Sequence, residues 1–345
     1  MYPAEIGFRM PPEWSKHERT FMEWPIKEAG WPGPLEEIYE AFIDAAKKIS
    51  MFEPVTMIAE PKVASLAAKK CGPRIDVLQL EHNDSWIRDN GPTFVVNEKG
   101  EMAGVNWIFN AWGGKYPADK DNLVGSSVLK VFGIPCFNAP FIMEGGSVHV
   151  DGEGTLLTTE ECLLNRNRNP QLGREEIEEQ LKKYLNVEKI VWLKRGLYGD
   201  DTDGHVDNVA CFARPGVILI QTTRKPSDPN YENSMENLDI LKKARDARGR
   251  SFEIVEIEQP PEVFYEGMRL TLSYINFYFV NGGIILPVFG GDCSEWDEKA
   301  TAVISKVFPD RKIVTIDGMP IARGGGNIHC ATQQMPVGRP ARLNL

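Results

Sequence analysis

A thiol framed by glycines opens the chemistry of this chain: Gly324-Gly325-Gly326-Asn327-Ile328-His329-Cys330. Three consecutive glycines let a backbone turn tightly or approach a ligand closely. A catalytic thiol needs access and neighbours that favour its thiolate, whereas a cysteine alone is also compatible with a small packed hydrophobe. Three further stretches rich in glycine and acid accompany it, at 86–92, 144–150 and 200–208. They offer Asp89, Glu144, His205 and Asp207. On a strand, His205 and Asp207 share a face by alternation. His329 and Cys330 would point to opposite faces, which makes His205 the better base for the thiol. His149 reads as a packed strand residue, and His17 and His82 lack supporting context.

A His-x-Asp pair with further carboxylates can bind a divalent ion, while a thiolate paired with histidine needs no metal. Carboxylates around a thiol disfavour the thiolate, so the set makes most sense with a substrate that brings positive charge. A guanidinium is planar, cationic and hydrogen-bonded pairwise by carboxylates. Asp89 and Asp207 would each clamp one edge of it and hold its central carbon over the Cys330 sulfur.

Residues so far apart in sequence need a scaffold that brings them together, and the chain carries a repeat that does so. Turn chemistry and alternation predict hairpins over 91–109, 146–159, 205–222 and 273–288. Each precedes a helical stretch (122–131, 174–184, 231–247, 294–307) and then a short strand (135–138, 189–193, 252–257, 312–316). A fifth copy is assembled from both ends: 326–332 with 19–24 as hairpin, 34–49 as helix, 55–59 as strand, with an extra helix and strand over 63–80. Repeats that close through the termini point to five units around a pseudo-fivefold axis; an ordinary mixed α/β domain is the alternative. The candidate residues fall at the starts of the hairpins, hence at one end of the units.

Composition sets the outer bounds. The chain has 345 residues, 42% hydrophobic and 26% charged, with a formal net charge of -10. That balance supports a sizeable core, argues against nucleic acid and suits a small cationic substrate. No apolar run reaches membrane-spanning length, and residues 1–12, with Glu5 and Arg9, hold no signal-peptide core; a cytoplasmic protein is expected. The cysteines at 71, 136, 162, 211, 293 and 330 contain no C-x-x-C pair, which reads as reduced thiols.

These stretches closely resemble the agmatine deiminase family of guanidino-modifying, peptidylarginine-deiminase-like enzymes. The resemblance runs from Pro12-Glu13-Trp14 and 18–25 through 86–92, 144–170, 192–215 and 274–287 to 324–334. It implies the five-bladed αβ-propeller (pentein) fold with a central active-site cavity, spanning 1–345 as a single domain, and a homodimer. It implies hydrolytic deimination of agmatine to N-carbamoylputrescine and ammonia in putrescine and polyamine metabolism, with no metal or organic cofactor. Residue by residue, Cys330 resembles the nucleophile that forms an amidino-cysteine intermediate and His205 the general acid/base. Glu144 resembles the carboxylate supporting that histidine, and Asp89 and Asp207 the guanidinium clamps. Asp201 matches a substrate-contacting position and is read as the partner of the primary amine; Trp86 and Trp112 either wall the pocket or belong to the core. A deiminase of peptidyl-arginine or free arginine is the near rival, and a guanidino-binding module without turnover the rival from another class.

Overall fold

The computed structural model describes residues 1–343, the side chain of Glu28 excepted. Helix and strand positions follow from local sequence. In Arg174–Leu185, Ile177 and Leu181 are buried, Glu175 and Glu176 occupy the first turn and Lys182 and Lys183 the last. That charge order complements the helix dipole. Asn186 ends the helix in a left-handed conformation (φ 55°), a usual place for asparagine.

The structure is mixed α/β, and one pairing pattern recurs in five sheets. Thr93–Val96 runs antiparallel to Glu101–Ile108, which runs parallel to Cys136–Ile142. The same order joins His149–Val150, Thr155–Thr159 and Lys189–Leu193. It recurs in Ala210–Arg214, Val217–Thr222 and Glu253–Glu258, and in Tyr278–Val280, Gly283–Val288 and Lys312–Asp317. In the remaining sheet Thr332–Pro336, near the C-terminus, pairs antiparallel with His17–Glu23, which is parallel to Val55–Ala59. Ile75–Gln79 extends that sheet, after the helix Ala64–Cys71. Each parallel crossover contains a helix: Leu35–Ile49, Asp121–Val131, Arg174–Leu185, Asn230–Lys243 and Ser294–Val307. Burial is divided among several hydrophobic clusters, so the units have their own packing layers.

The structure corrects the sequence reading at the hairpin starts. His205 and Asp207 are not on a strand: Val206–Asn208 is a 3-10 turn, and the strand starts at Ala210. Likewise Gly145–Ser147 is a 3-10 turn, and residues 328–331 form a turn before Thr332–Pro336. Asn230–Lys243 also stops short of 247, because Ala244 is extended and Asp246 folds the following segment by accepting from the Arg248 and Arg250 amides.

Hydrogen bonds stitch these turns together. The Arg88 amide donates to the Cys330 carbonyl (3.2 Å) and the Gly146 amide to Asp89 (2.9 Å). Thr159, the last residue of its strand, donates to the Gly204 carbonyl (2.6 Å), Asn276 to Asn208 (3.1 Å) and the His329 amide to the Asn276 carbonyl (3.2 Å).

Candidate active site

Cys330 is buried in the turn that enters its strand. Asn276 fixes it: its Nδ2 lies 3.1 Å from the Cys330 Sγ, and its Oδ1 accepts from the amides of His329 (3.1 Å) and Cys330 (3.4 Å). Gly326 allows a close approach here. A Cβ at that position would stand 3.0 Å from the Cys330 Cβ, 3.1 Å from its Sγ and 2.7 Å from the Trp86 ring. The Sγ is also 3.4 Å from Asp207 Oδ2.

Asp89, Asp207 and His205 meet around a second glycine. A Cβ on Gly146 would lie 2.6 Å from His205 Nδ1, 2.8 Å from Asp207 Oδ2 and 2.9 Å from Asp89 Oδ1. Any side chain there would displace the cluster. Asp89 Oδ1 accepts from the Gly146 amide and Oδ2 from Trp112 Nε1, both at 2.9 Å. Glu144 Oε1 accepts from Arg168 Nε at 2.7 Å. The fully buried His205 sits with Nδ1 3.8 Å from Asp89 Oδ2 and Nε2 3.8 Å from Glu144 Oε2. Those gaps exceed hydrogen-bond length. Both ring nitrogens of His205, with Glu144 Oε2 and Asp207 Oδ1, therefore have no hydrogen-bond partner. Buried polar atoms are normally paired, so four such atoms in one cluster mark a place built for something else.

Electrostatics set the protonation states. Burial opposes a charge on His205, but Asp89, Cys162 and Glu144 outweigh it and push its pKa well above the ordinary value. Burial, Asp207 and Asp89 raise the Cys330 thiol well above its usual range. Burial also raises Asp89, whereas against burial His329 holds Asp207 low, and His205 and Arg168 hold Glu144 low. The resting cluster thus pairs a thiol with an imidazolium.

Glu144, Cys162 and His205 bring donor atoms within 4.8 Å of one another. Arg168 already occupies one Glu144 oxygen at 2.7 Å, and burial raises the Cys162 thiol above its usual range.

Asp89 and Cys330 face a cavity of about 300 Å³, whose walls include Trp31, Trp86, Trp112, Tyr116, Asp84 and Asp201. Trp86 stacks on Trp31 at 5.0 Å, and Trp86 and Trp112, the tryptophans singled out in the sequence, line the cavity as well as being buried. Asp201 is half-exposed. Its Oδ2 accepts from the Tyr116 hydroxyl at 2.6 Å, and Lys115 Nζ stands 3.8 Å from Oδ1. A larger cavity of about 440 Å³ lies elsewhere, lined by Arg9, Glu98, Glu153 and Arg248 but by no thiol or imidazole, and its ion pairs include Arg9–Glu98 at 2.9 Å.

Sequence reasoning missed Glu13, Arg88, Arg168, Asn276 and the role of His329. His329 does not point away from the thiol's surroundings. Its Nδ1 is 2.9 Å from the Asp207 oxygen that Cys330 also touches, and its Nε2 is 2.8 Å from Glu13. Alternation failed because the residues form a turn. His149 is packed as expected, with Nδ1 near the Phe212 amide (3.3 Å).

Repeated hairpin, helix and strand units carrying a buried thiol, imidazole and carboxylates have the make-up of a thiol-dependent enzyme. The chain belongs to the Porphyromonas-type peptidyl-arginine deiminase family, whose model matches residues 9–336. Agmatine deiminase of Pseudomonas syringae pv. tomato is 45% identical over 360 residues, covering 97% of each chain. The solved agmatine deiminase of Enterococcus faecalis superposes with a TM-score of 0.93 at 39% identity, covering 98% of each chain. A cysteine-to-serine variant of C. jejuni agmatine deiminase with substrate bound superposes with a TM-score of 0.89 at 32% identity, covering 96% of this chain and 97% of that one.

Proposed function

We propose that this protein is an agmatine deiminase, hydrolysing agmatine to N-carbamoylputrescine and ammonia through a covalent intermediate on Cys330. The observation that carries the mechanism is the convergence of His205, Asp89 and Asp207 on Gly146 beside the thiol, with both His205 nitrogens and Asp207 Oδ1 left unpaired. The relatives' names supply the substrate.

The substrate cation enters a site where a thiol is held protonated by neighbouring carboxylates. Its positive charge offsets Asp89 and Asp207, the thiol gives its proton to solvent, and the thiolate attacks the guanidinium carbon. His205, already an imidazolium, protonates one amino nitrogen as the C–N bond breaks, and ammonia departs. An amidino-thioether remains on Cys330. Neutral His205 then takes a proton from water, whose oxygen attacks the same carbon. Collapse breaks the C–S bond, the hydroxyl proton passes to the departing sulfur, and the thiol is regenerated as the ureido product leaves. Glu144, neutralised by Arg168 on one oxygen, steadies the histidine with the other. Asp201 receives the primary amine at the cavity wall, and Trp86 and Trp112 flank the aliphatic chain.

The five sheets are read as blades of an αβ-propeller, one domain spanning the chain. The hydrogen bonds between units support that reading: four tie hairpin-start turns of different sheets, and a fifth ties Thr159, at the end of its strand, to Gly204. A cytoplasmic homodimer feeding putrescine synthesis completes the proposal. Among the described residues no helix is long and apolar enough to cross a membrane.

The test is a product assay with agmatine, free arginine and a blocked arginyl peptide offered separately, read by mass spectrometry as ureido product. Conversion of agmatine alone supports the full reading. Conversion of arginine or peptide instead keeps Cys330 and the clamps but removes the amine assignment; conversion of none favours a binding module.

A further inference from the structure

Behind Asp207 stands a second imidazole that the steps above do not use. His329 Nδ1 is 2.9 Å from Asp207 Oδ2, and Nε2 is 2.8 Å and 3.0 Å from the two oxygens of Glu13. All three side chains are almost fully buried. Arg88 closes the assembly, with Nη1 3.3 Å from Glu13 and Nε 3.2 Å from the His329 carbonyl. The groups facing this ring come from separate segments: Glu13 from the N-terminal loop, Arg88 and Asp207 from two hairpin-start turns, and His149 3.6 Å from Glu13.

A neutral imidazole has one donor and one acceptor nitrogen. With a carboxylate oxygen at hydrogen-bond distance from each nitrogen, a neutral ring would turn a lone pair on one of them. An imidazolium donates to both. Burial and Arg88 work against that charge, yet Glu13 and Asp207 prevail and raise the His329 pKa. Burial also opposes ionisation of Glu13, but His329, Arg88 and His149 hold its carboxyl well below the usual range. Two buried anions and two buried cations then balance.

We propose that Glu13 and His329 are positioning residues for Asp207. Their fixed ion pair keeps this carboxylate ionised beside the thiol and occupies its Oδ2, leaving the unpaired Oδ1 as the atom offered to the guanidinium. The proposal rests on the reading of Asp207 as a guanidinium clamp. Without the Glu13 charge, Arg88 favours loss of the His329 proton, and Asp207 becomes a less neutralised buried anion free to rotate or take a proton.

Two measurements test this. In the free protein, nitrogen NMR of the histidine rings should show both His329 nitrogens protonated at neutral pH, with the Glu13→Gln variant losing the second proton at lower pH than the native protein. A neutral His329 in the native protein overturns the proposal, and this readout needs no substrate. Calorimetry of agmatine binding in the Cys330→Ala background supplies the second. Glu13→Gln, which preserves shape, should weaken binding about tenfold, as expected for loss of a charge-assisted hydrogen-bond network. Asp207→Asn should weaken it further, and the two together no more than Asp207→Asn alone. Additive losses, or unchanged binding in Glu13→Gln, overturn the proposal. His329→Asn, whose amide can replace Nδ1 as donor without the charge, should retain more affinity than His329→Ala; equal losses sink the positioning role. Native protein that does not convert agmatine would refute the function proposed above while leaving the NMR result to stand by itself.

Discussion

The site contains two buried imidazoles built to almost the same plan. His205 lies between Asp89 and Glu144, with Arg168 behind Glu144; His329 lies between Asp207 and Glu13, with Arg88 behind Glu13. Carboxylates hold the pKa of both rings up against burial. The difference is distance. His329 meets its carboxylates at 2.8–2.9 Å, whereas His205 stands 3.8 Å from both of its own. A ring with both protons committed to short bonds is fixed in place and poorly placed to give one away. A ring held charged at long range keeps its protons available to a substrate. On the proposed reading, nearly identical composition serves as a structural cation in one place and an acid in the other, and a gap of about an ångström distinguishes them.

The largest expected effects lie on the open side of that comparison. Cys330→Ala should abolish turnover, by about 10⁴-fold or more as for other nucleophile deletions, while calorimetry still detects agmatine binding. Residual turnover near the native level would remove the covalent step. His205→Asn should lower kcat about 10²- to 10⁴-fold, the usual range for a general acid–base. His329→Asn should lose far less, and equal losses would erase the distinction between the two rings. The pH–rate profile sharpens it further. His205 must carry its proton for ammonia to leave, and its pKa is raised well above the ordinary histidine value. Activity should therefore persist through neutral pH and fall only as alkaline conditions remove that proton. Glu144→Gln or Asp89→Asn should move that fall-off to lower pH, and a fall-off already centred near pH 6.5 in the native enzyme would contradict the assignment.

Asp89→Asn comes next. Asp89 accepts one bond from the Gly146 amide and one from Trp112, so an amide must turn a donor toward one of those donors. Agmatine kcat/KM should fall by about 10- to 100-fold, in line with loss of a charged hydrogen-bond partner. A change confined to KM of twofold or less would show that Asp89 does not grip the reacting end.

The sequence made the scaffold legible because its signals are local. Arg174–Leu185 and Ser294–Val307 follow from spacing and charge order, and the antiparallel-then-parallel scheme from hairpins and crossovers. Even the unit shared by the two ends is visible as a pattern with missing parts. Cys330, His205, Asp89, Asp207 and Glu144 are brought together as expected, although turns and not strands do it. Glu13 was out of reach for the opposite reason. It contacts His329 across 316 residues of chain, from a loop with no periodicity, so no local pattern links them. The alternation argument about His329 and Cys330 was sound for a strand and failed because both precede the strand.

The smallest effect is expected at the cavity wall, where charges are wet and the comparison between open and closed groups is weakest. Tyr116 donates its hydroxyl to Asp201 Oδ2 at 2.6 Å and sets its ring edge-on to Trp112, centroids 5.8 Å apart. Tyr116→Phe keeps the ring contact and removes only the hydroxyl. Asp201 is half-exposed, and Lys115 stands 3.8 Å from its other oxygen, so the released carboxylate should turn toward that lysine and away from the substrate amine. An exposed pair contributes little, so KM for agmatine should rise only about threefold with kcat unchanged. Butylguanidine, which has the guanidinium but no amine, separates the two possible sites of action. If its KM stays constant, the loss belongs to the tail. If both substrates lose equally, the disturbance has passed through Trp112 to Asp89, and Tyr116 belongs to the floor of the site and not to its mouth.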